Sequence, residues 1–321
     1  MHIDPLLFRD EAVSDETRSF NAQLQKLLLS QPDVSQFTPD QIRKERREGR
    51  GWMGPVYYSD RAETITIDGP GGDLALRIIR ADRQNGVYLH IHGGGWVLGG
   101  ADLSDIQNEA MAIAADVTVV SVEYRLAPEH PYPAGVEDCA AAARWLIDKG
   151  ETVFGTDRFT IGGESAGANL AAATLLKTRE DIGYTGWLGA NLVYGSYLPH
   201  GTPSVRQWTT RGLILDPEIL PWFTDHYDGG QEIAMDDPYF SPLYGDLSDL
   251  SPALFSVGTW DPLVDDTLFM AARWLTAGNQ TDLAIYPGGV HAFDAFHTQI
   301  ASDARTRMQE FIRKSLSDRV G

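Results

Sequence analysis

The chain has 321 residues, 43% of them hydrophobic and 22% charged, enough to bury a sizeable core in one large α/β domain or two smaller ones. Its formal net charge of -19 argues against nucleic acid or an anionic membrane as a partner and reads most simply as a solubility feature. A single cysteine, Cys139, excludes an internal disulfide and a thiolate metal site, and within the helical run EDCAAAA it reads as a packed, inert thiol.

Residues 1–50 are polar and helix-rich, with Leu24, Leu27 and Leu28 at helical spacing. The opening MHIDPLLFRDEAVSDE lacks the basic start and long apolar core of a secretory signal. No run of about 18 apolar residues follows, so a cytoplasmic protein without membrane insertion is expected. The charged run QIRKERREGR at 41–50 reads as a solvated helix face. Thr64–Ile67 alternates as a half-exposed strand, and Leu74–Ile79 follows a Gly-Pro-Gly-Gly turn. Strand-like and helical runs then alternate. A strand at 87–91 leads to a helix at 102–115, one at 117–122 to a helix at 134–149, and one at 159–163 to a helix from Ser165 onward. Further strands are expected at 188–194, 253–257 and 283–286. This alternation predicts an α/β fold, a mostly parallel sheet covered by helices on both faces.

Between 196 and 248 the alternation breaks into aromatics, prolines and one short helix near 217–227. A connection this long inside an α/β domain is usually functional. The expected organisation is therefore N-terminal cap helices at 1–50, a core at 51–195, a cap insertion at 196–248 and the rest of the core at 249–321. The cap would cover the carboxyl ends of the strands, where open α/β sheets bind ligands.

Gly163-Glu164-Ser165-Ala166-Gly167 is a Gly-x-Ser-x-Gly motif between a β-branched run and an alanine-rich helix. On such a turn the serine hydroxyl is exposed, and the flanking glycines let strand and helix approach. A serine hydroxyl needs a base, and the base needs an orienting acid, in the chain order Ser, Asp, His. Asp261 stands just past a strand; Asp265 and Asp266 fall in the helix that follows and are expected to face solvent or cap it. His291 follows the last strand and a Gly-Gly loop. His92-Gly93-Gly94-Gly95-Trp96 supplies glycine N–H donors for the negative oxygen of a tetrahedral intermediate. The expected donors are Gly94, Gly95 and Ala166, with Gly93 able to share or replace one; His92 is expected to fix the loop. A phosphate loop is disfavoured, because no Gly-Lys-Ser/Thr is present and a tryptophan follows directly.

These pieces resemble the hormone-sensitive-lipase-type carboxylesterases (bacterial family IV) of the α/β-hydrolase fold. The matching motifs are HGGGW at 92–96, EYRLAPEHPYPA at 123–134, GESAG at 163–167, DDPYFSPL at 236–243, GTWDPLVDD at 258–266 and YPGGVHAF at 286–293, in the family's order. Two positions depart from the common pattern: Gly289-Val290-His291-Ala292 replaces Pro-His-Gly, and Glu164 stands where many relatives carry Asp. The resemblance implies Ser165, Asp261 and His291 as a triad, an HGGG oxyanion hole, neither metal nor cofactor, and a helical cap that shapes the acyl pocket. A homodimer through the last strand or final helix is a further family expectation. Trp96, Trp208, Leu213, Ile214, Trp222 and Phe223 are the candidates for the substrate walls. The implied reaction is hydrolysis of small esters with short-to-medium acyl groups. An amidase, deacetylase or lactonase on the same triad is the alternative, since a triad does not name its leaving group. A non-catalytic ligand receptor or an interaction protein would need neither the intact triad nor the glycine run.

Overall fold

The computed structural model describes residues 2–317. Its elements in chain order are α1 (Asp15–Leu28), α2 (Pro39–Arg47), β1 (Ala62–Gly69), β2 (Gly72–Ile79), β3 (Val87–Ile91), α3 (Asp105–Ala115), β4 (Thr118–Val122), α4 (Ala134–Phe154), β5 (Phe159–Glu164), α5 (Ala166–Ile182), β6 (Ala190–Val193), α6 (Pro203–Arg206), α7 (Ile219–Asp228), β7 (Ala253–Trp260), α8 (Val264–Thr276), β8 (Thr281–Val290) and α9 (Gln299–Ser317). The strands form one eight-stranded sheet in the order β1-β2-β4-β3-β5-β6-β7-β8. β2 runs antiparallel to both of its neighbours, and the pairs from β4 to β8 are parallel.

The strand sequences explain the layers. Val87, Leu89 and Ile91 of β3 and Phe159 and Ile161 of β5 point into a core with α4, α5 and α8, whereas Tyr88 points the other way, toward α3 and α9. Alternate residues of a strand face opposite sides, so β-branched and aromatic residues at every position bury both faces. Leu24 of α1 joins a further cluster with β7 and α9. Ser14 and Thr38 cap α1 and α2 by accepting the backbone N–H of Thr17 and Gln41.

Three sequence expectations are corrected. β8 extends to Val290, so Gly288 and Gly289 lie within the strand rather than in a loop. They form a bulge: Gly258 pairs with Tyr286 but Trp260 with Val290, and Thr259 Oγ1 accepts the Gly288 N–H at 2.8 Å. The charged face of α2 is not merely solvated, since Arg43 donates from Nε to Val97 O at 2.8 Å and from Nη2 to Ala127 O at 2.5 Å. Asp266 does not face solvent; it is fully buried, because segment 197–202 folds back over it.

Residues 196–248 hold α6, α7 and a 3-10 turn, with little other regular structure. α1 touches this segment where Gln25 Nε2 donates to Arg211 O at 2.8 Å, and it touches the sheet where Asn21 Nδ2 donates to Gly288 O at 2.8 Å. Among the described residues no helix is long and apolar enough to cross a membrane.

Candidate active site

Ser165 occupies the turn between β5 and α5 with φ +58° and ψ −120°, a backbone state that few non-glycine residues adopt. Its own N–H donates to Val193 O at 2.9 Å, which ties the turn to β6. α5 begins directly beneath, and a Cβ at Gly167 would collide with the Ile91 carbonyl. Strand and helix can meet this closely only without that side chain.

His291 Nε2 lies 3.0 Å from Ser165 Oγ, and His291 Nδ1 lies 2.8 Å from Asp261 Oδ2. Asp261 is 1% exposed and His291 5%, so the pair sits in a medium where its attraction is weakly screened. Asp261 Oδ1 accepts the Leu263 N–H at 2.9 Å, which orients the carboxylate. The three side chains arrive from β5, β7 and β8 at one edge of the sheet, as their positions after strands predict. Tyr194, next after β6, sets its ring edgewise on His291 at 4.7 Å and donates its hydroxyl to Asp294 Oδ1 at 2.5 Å. Neither residue belongs to a sequence motif, and no pattern in the chain announces them. Burial raises the Asp294 carboxyl to about 6.

The glycine loop runs past the serine. Gly95 has φ +60°, and an added Cβ would enter the Phe223 ring. Gly94 O accepts from Leu98 N at 2.7 Å, closing the loop on itself. Among the described residues, no acceptor within the chain takes the N–H of Gly94, Gly95 or Ala166. His92 holds the loop: Nδ1 donates to Gly93 O at 2.8 Å, and the ring stacks on Tyr124 at 4.2 Å. Burial pushes the His92 imidazole down to about 4, so it is neutral at pH 7. Arg43 grips the same loop at Val97 O.

Glu164, beside the serine, points away from the loop and lies 3.0 Å from His90 Nε2; His90 Nδ1 lies 2.8 Å from Ser121 Oγ. His90 and Glu164 also line a small cavity with Asn108, Asn191, Asp294 and Arg305.

A cavity with about 30 Å³ of water-accessible space opens at Ser165. Of the six expected wall residues it takes in Trp96 and Phe223. Trp96 is 4% exposed and stacked on Tyr227 at 4.4 Å, so it forms the back wall rather than a free face. The rest of the apolar wall comes from residues that sequence reasoning missed: Leu198, Pro199, Val205, Leu215, Leu220 and Leu263. Leu263 lies in the motif GTWDPLVDD without standing out as a wall residue; the others lack a motif, and only the path of segment 196–248 brings them to the cavity. Trp208 and Leu213 instead line a second, larger cavity with Trp260 and Gln25. Ile214 and Trp222 line neither; Ile214 packs against the Leu24 cluster, and Trp222 lies against His226 at 4.3 Å.

A family model described as the alpha/beta hydrolase fold matches residues 88–295, from β3 through the turn after His291. The chain belongs to the α/β-hydrolase-fold family. The hormone-sensitive-lipase-like resemblance read from its motifs is borne out. Esterase LipI of Mycobacterium tuberculosis is 38% identical to this α/β-hydrolase over 70% of the chain and 72% of LipI. Carboxylic ester hydrolase LipN of the same organism is 35% identical over 75% of the chain, which spans 66% of LipN's length. Among solved structures, a hyperthermophilic esterase from the archaeon Pyrobaculum calidifontis superposes with a TM-score of 0.82 at 28% identity, covering 98% of this α/β-hydrolase and 99% of that chain.

Proposed function

We propose that the chain hydrolyses short-to-medium acyl esters by a two-step acyl-enzyme route, with Ser165 as nucleophile, His291 as base and Asp261 as its orienting acid. Its family and its esterase relatives make it a carboxylic ester hydrolase. One observation carries the assignment of roles: the continuous hydrogen-bonded series from Ser165 Oγ through His291 to Asp261 at 3.0 and 2.8 Å. His291 takes the Ser165 proton as the hydroxyl attacks the acyl carbonyl, and Asp261 stabilises the imidazolium. The oxyanion is received by the N–H groups of Gly94, Gly95 and Ala166, with Gly93 adjacent. His291 then returns the proton to the departing alcohol, and water repeats the attack on the acyl-enzyme. Trp96, Phe223, Leu198, Leu215 and Leu263 wall the acyl site, and the tight space favours short chains.

In this reading residues 196–248, with the helices of 1–50, form a cap over a core of 51–195 and 249–321. The enzyme works in the cytoplasm on small esters, away from nucleic acid, and dimerises through β8, whose outer edge ends the sheet. Light scattering tests the dimer.

The deciding experiment is a p-nitrophenyl ester series from acetate to palmitate beside p-nitroanilides, with a serine-directed phosphonate control. The expected result is phosphonate-sensitive ester turnover that peaks at short or medium acyl length. Absence of both turnover and Ser165 labelling overturns the proposal, and preferential cleavage of the anilides makes the chain an amidase.

A further inference from the structure

The first turn of α8 carries two carboxylates outside the Ser165–His291–Asp261 array. Asp266 is completely buried. Its Oδ1 accepts the backbone N–H of Tyr197 at 2.8 Å and of Leu198 at 2.9 Å, and its Oδ2 accepts the Thr202 hydroxyl at 2.5 Å. Beside it, Asp265 Oδ2 accepts the Ser204 N–H at 2.8 Å, and Ser204 Oγ donates to Pro262 O at 2.6 Å. These bonds clasp α8 to residues 197–204, a segment with little regular structure of its own.

The clasped segment and the residues flanking it form part of the wall of the acyl cavity. Ser196, Leu198, Pro199 and Val205 line it, and so does Leu263, at the head of α8, against whose cluster Val205 packs. Thr224 Oγ1 of α7 adds a tie to Pro199 O at 3.0 Å. Burying a carboxylate is costly unless its lone pairs are taken by donors. Here the donors are two consecutive backbone amides, which cannot turn independently, and a hydroxyl four residues on. Together they set both the direction of the chain at Leu198 and its distance from α8.

We propose that Asp266 is a specificity-determining positioning residue: by clasping residues 197–202 it fixes the gap between Leu198 and Leu263 and so sets the acyl length that reaches Ser165. This inference rests on the esterase reading and names what determines its substrate range. An apolar pocket discriminates by the space it withholds, so releasing one wall admits chains that the native spacing excludes.

The test compares wild type, Asp266→Asn and Thr202→Val on p-nitrophenyl acetate, butyrate, hexanoate and octanoate, with phosphonate labelling of Ser165 in each. Asn puts a donor where a donor already points, and Val removes one arm of the clasp. The ratio of kcat/KM for octanoate to that for acetate is expected to rise about tenfold in Asp266→Asn, chiefly through KM, and about threefold in Thr202→Val. Ser165 is expected to take the label in both. A ratio unchanged in the variants, or all esters falling in parallel through kcat, overturns the proposal. Should Asp266→Asn fail to fold, Thr202→Val decides alone. A wild type that neither turns over any ester nor takes the label defeats the esterase reading itself, a failure distinct from an active wild type with unshifted variants.

Discussion

Ser165 sits in a backbone state that costs on the order of 1–3 kcal/mol, held by the β6 carbonyl above it and α5 below. Such strain persists only where surrounding structure over-determines it, and here it leaves the hydroxyl aimed at His291. Ser165→Ala is expected to lower ester turnover by about 10⁴-fold or more while circular dichroism and melting temperature stay near wild type. Gly95→Ala forces a methyl group onto a +60° backbone and into Phe223. About a 100-fold loss of kcat is expected, measured on p-nitrophenyl butyrate, because the proposed mechanism uses the N–H there as an oxyanion donor. That Ser165, Asp261 and His291 would converge was legible because each occupies a stereotyped place at a strand end. Asp266 was not: an acid in the first turn of a helix ordinarily faces water, and nothing local announces that residues 197–202 return over it.

At the scale of elements, α2 shows what a charge run conceals. Periodicity reads QIRKERREGR as a solvated face, yet Arg43 reaches two loop carbonyls and Glu129 together. Hydrogen bonds from a charged donor to buried carbonyls contribute about 1.5–3 kcal/mol. Arg43→Ala is expected to lower stability by that order in urea unfolding and to reduce kcat more than KM, since it loosens the loop that carries Gly94 and Gly95. The β8 bulge was hidden for a different reason. Pro287-Gly288-Gly289 has the composition of a turn, and only pairing with β7 keeps it in the sheet.

For the molecule as a whole, all eight strands and the two-sided layering could be read from hydrophobic alternation, whereas the acyl walls could not, because segment 196–248 follows no period. The buried titratable groups make stability pH-dependent in opposing directions. Burial raises Asp266 to about 7 and Asp294 to about 6, above the ~3.9 of an unfolded aspartate. Between these values the folded chain keeps protons that the unfolded chain has released. Their stabilising share is complete below about pH 4 and is lost as pH rises through 6 to 7. His92, lowered to about 4 by burial, contributes fully above ~6.5 and loses that share on acidification. Asp294→Asn mimics the protonated carboxyl. The melting temperature of wild type relative to this variant is therefore expected to fall from about pH 4 to pH 7 and to level off above it; a pH-independent difference refutes the raised carboxyl.

The glycine contact beneath Ser165 divides the molecule for laboratory evolution. At Gly167 the approach of α5 to β3 is backbone against backbone, so no side chain can be introduced without moving Ser165. Across the cavity the walls are formed by the larger apolar residues Leu198, Val205, Leu215, Leu220 and Phe223. Mutational libraries that seek new acyl groups therefore have their productive positions on the irregular segment, while the serine turn tolerates almost no drift.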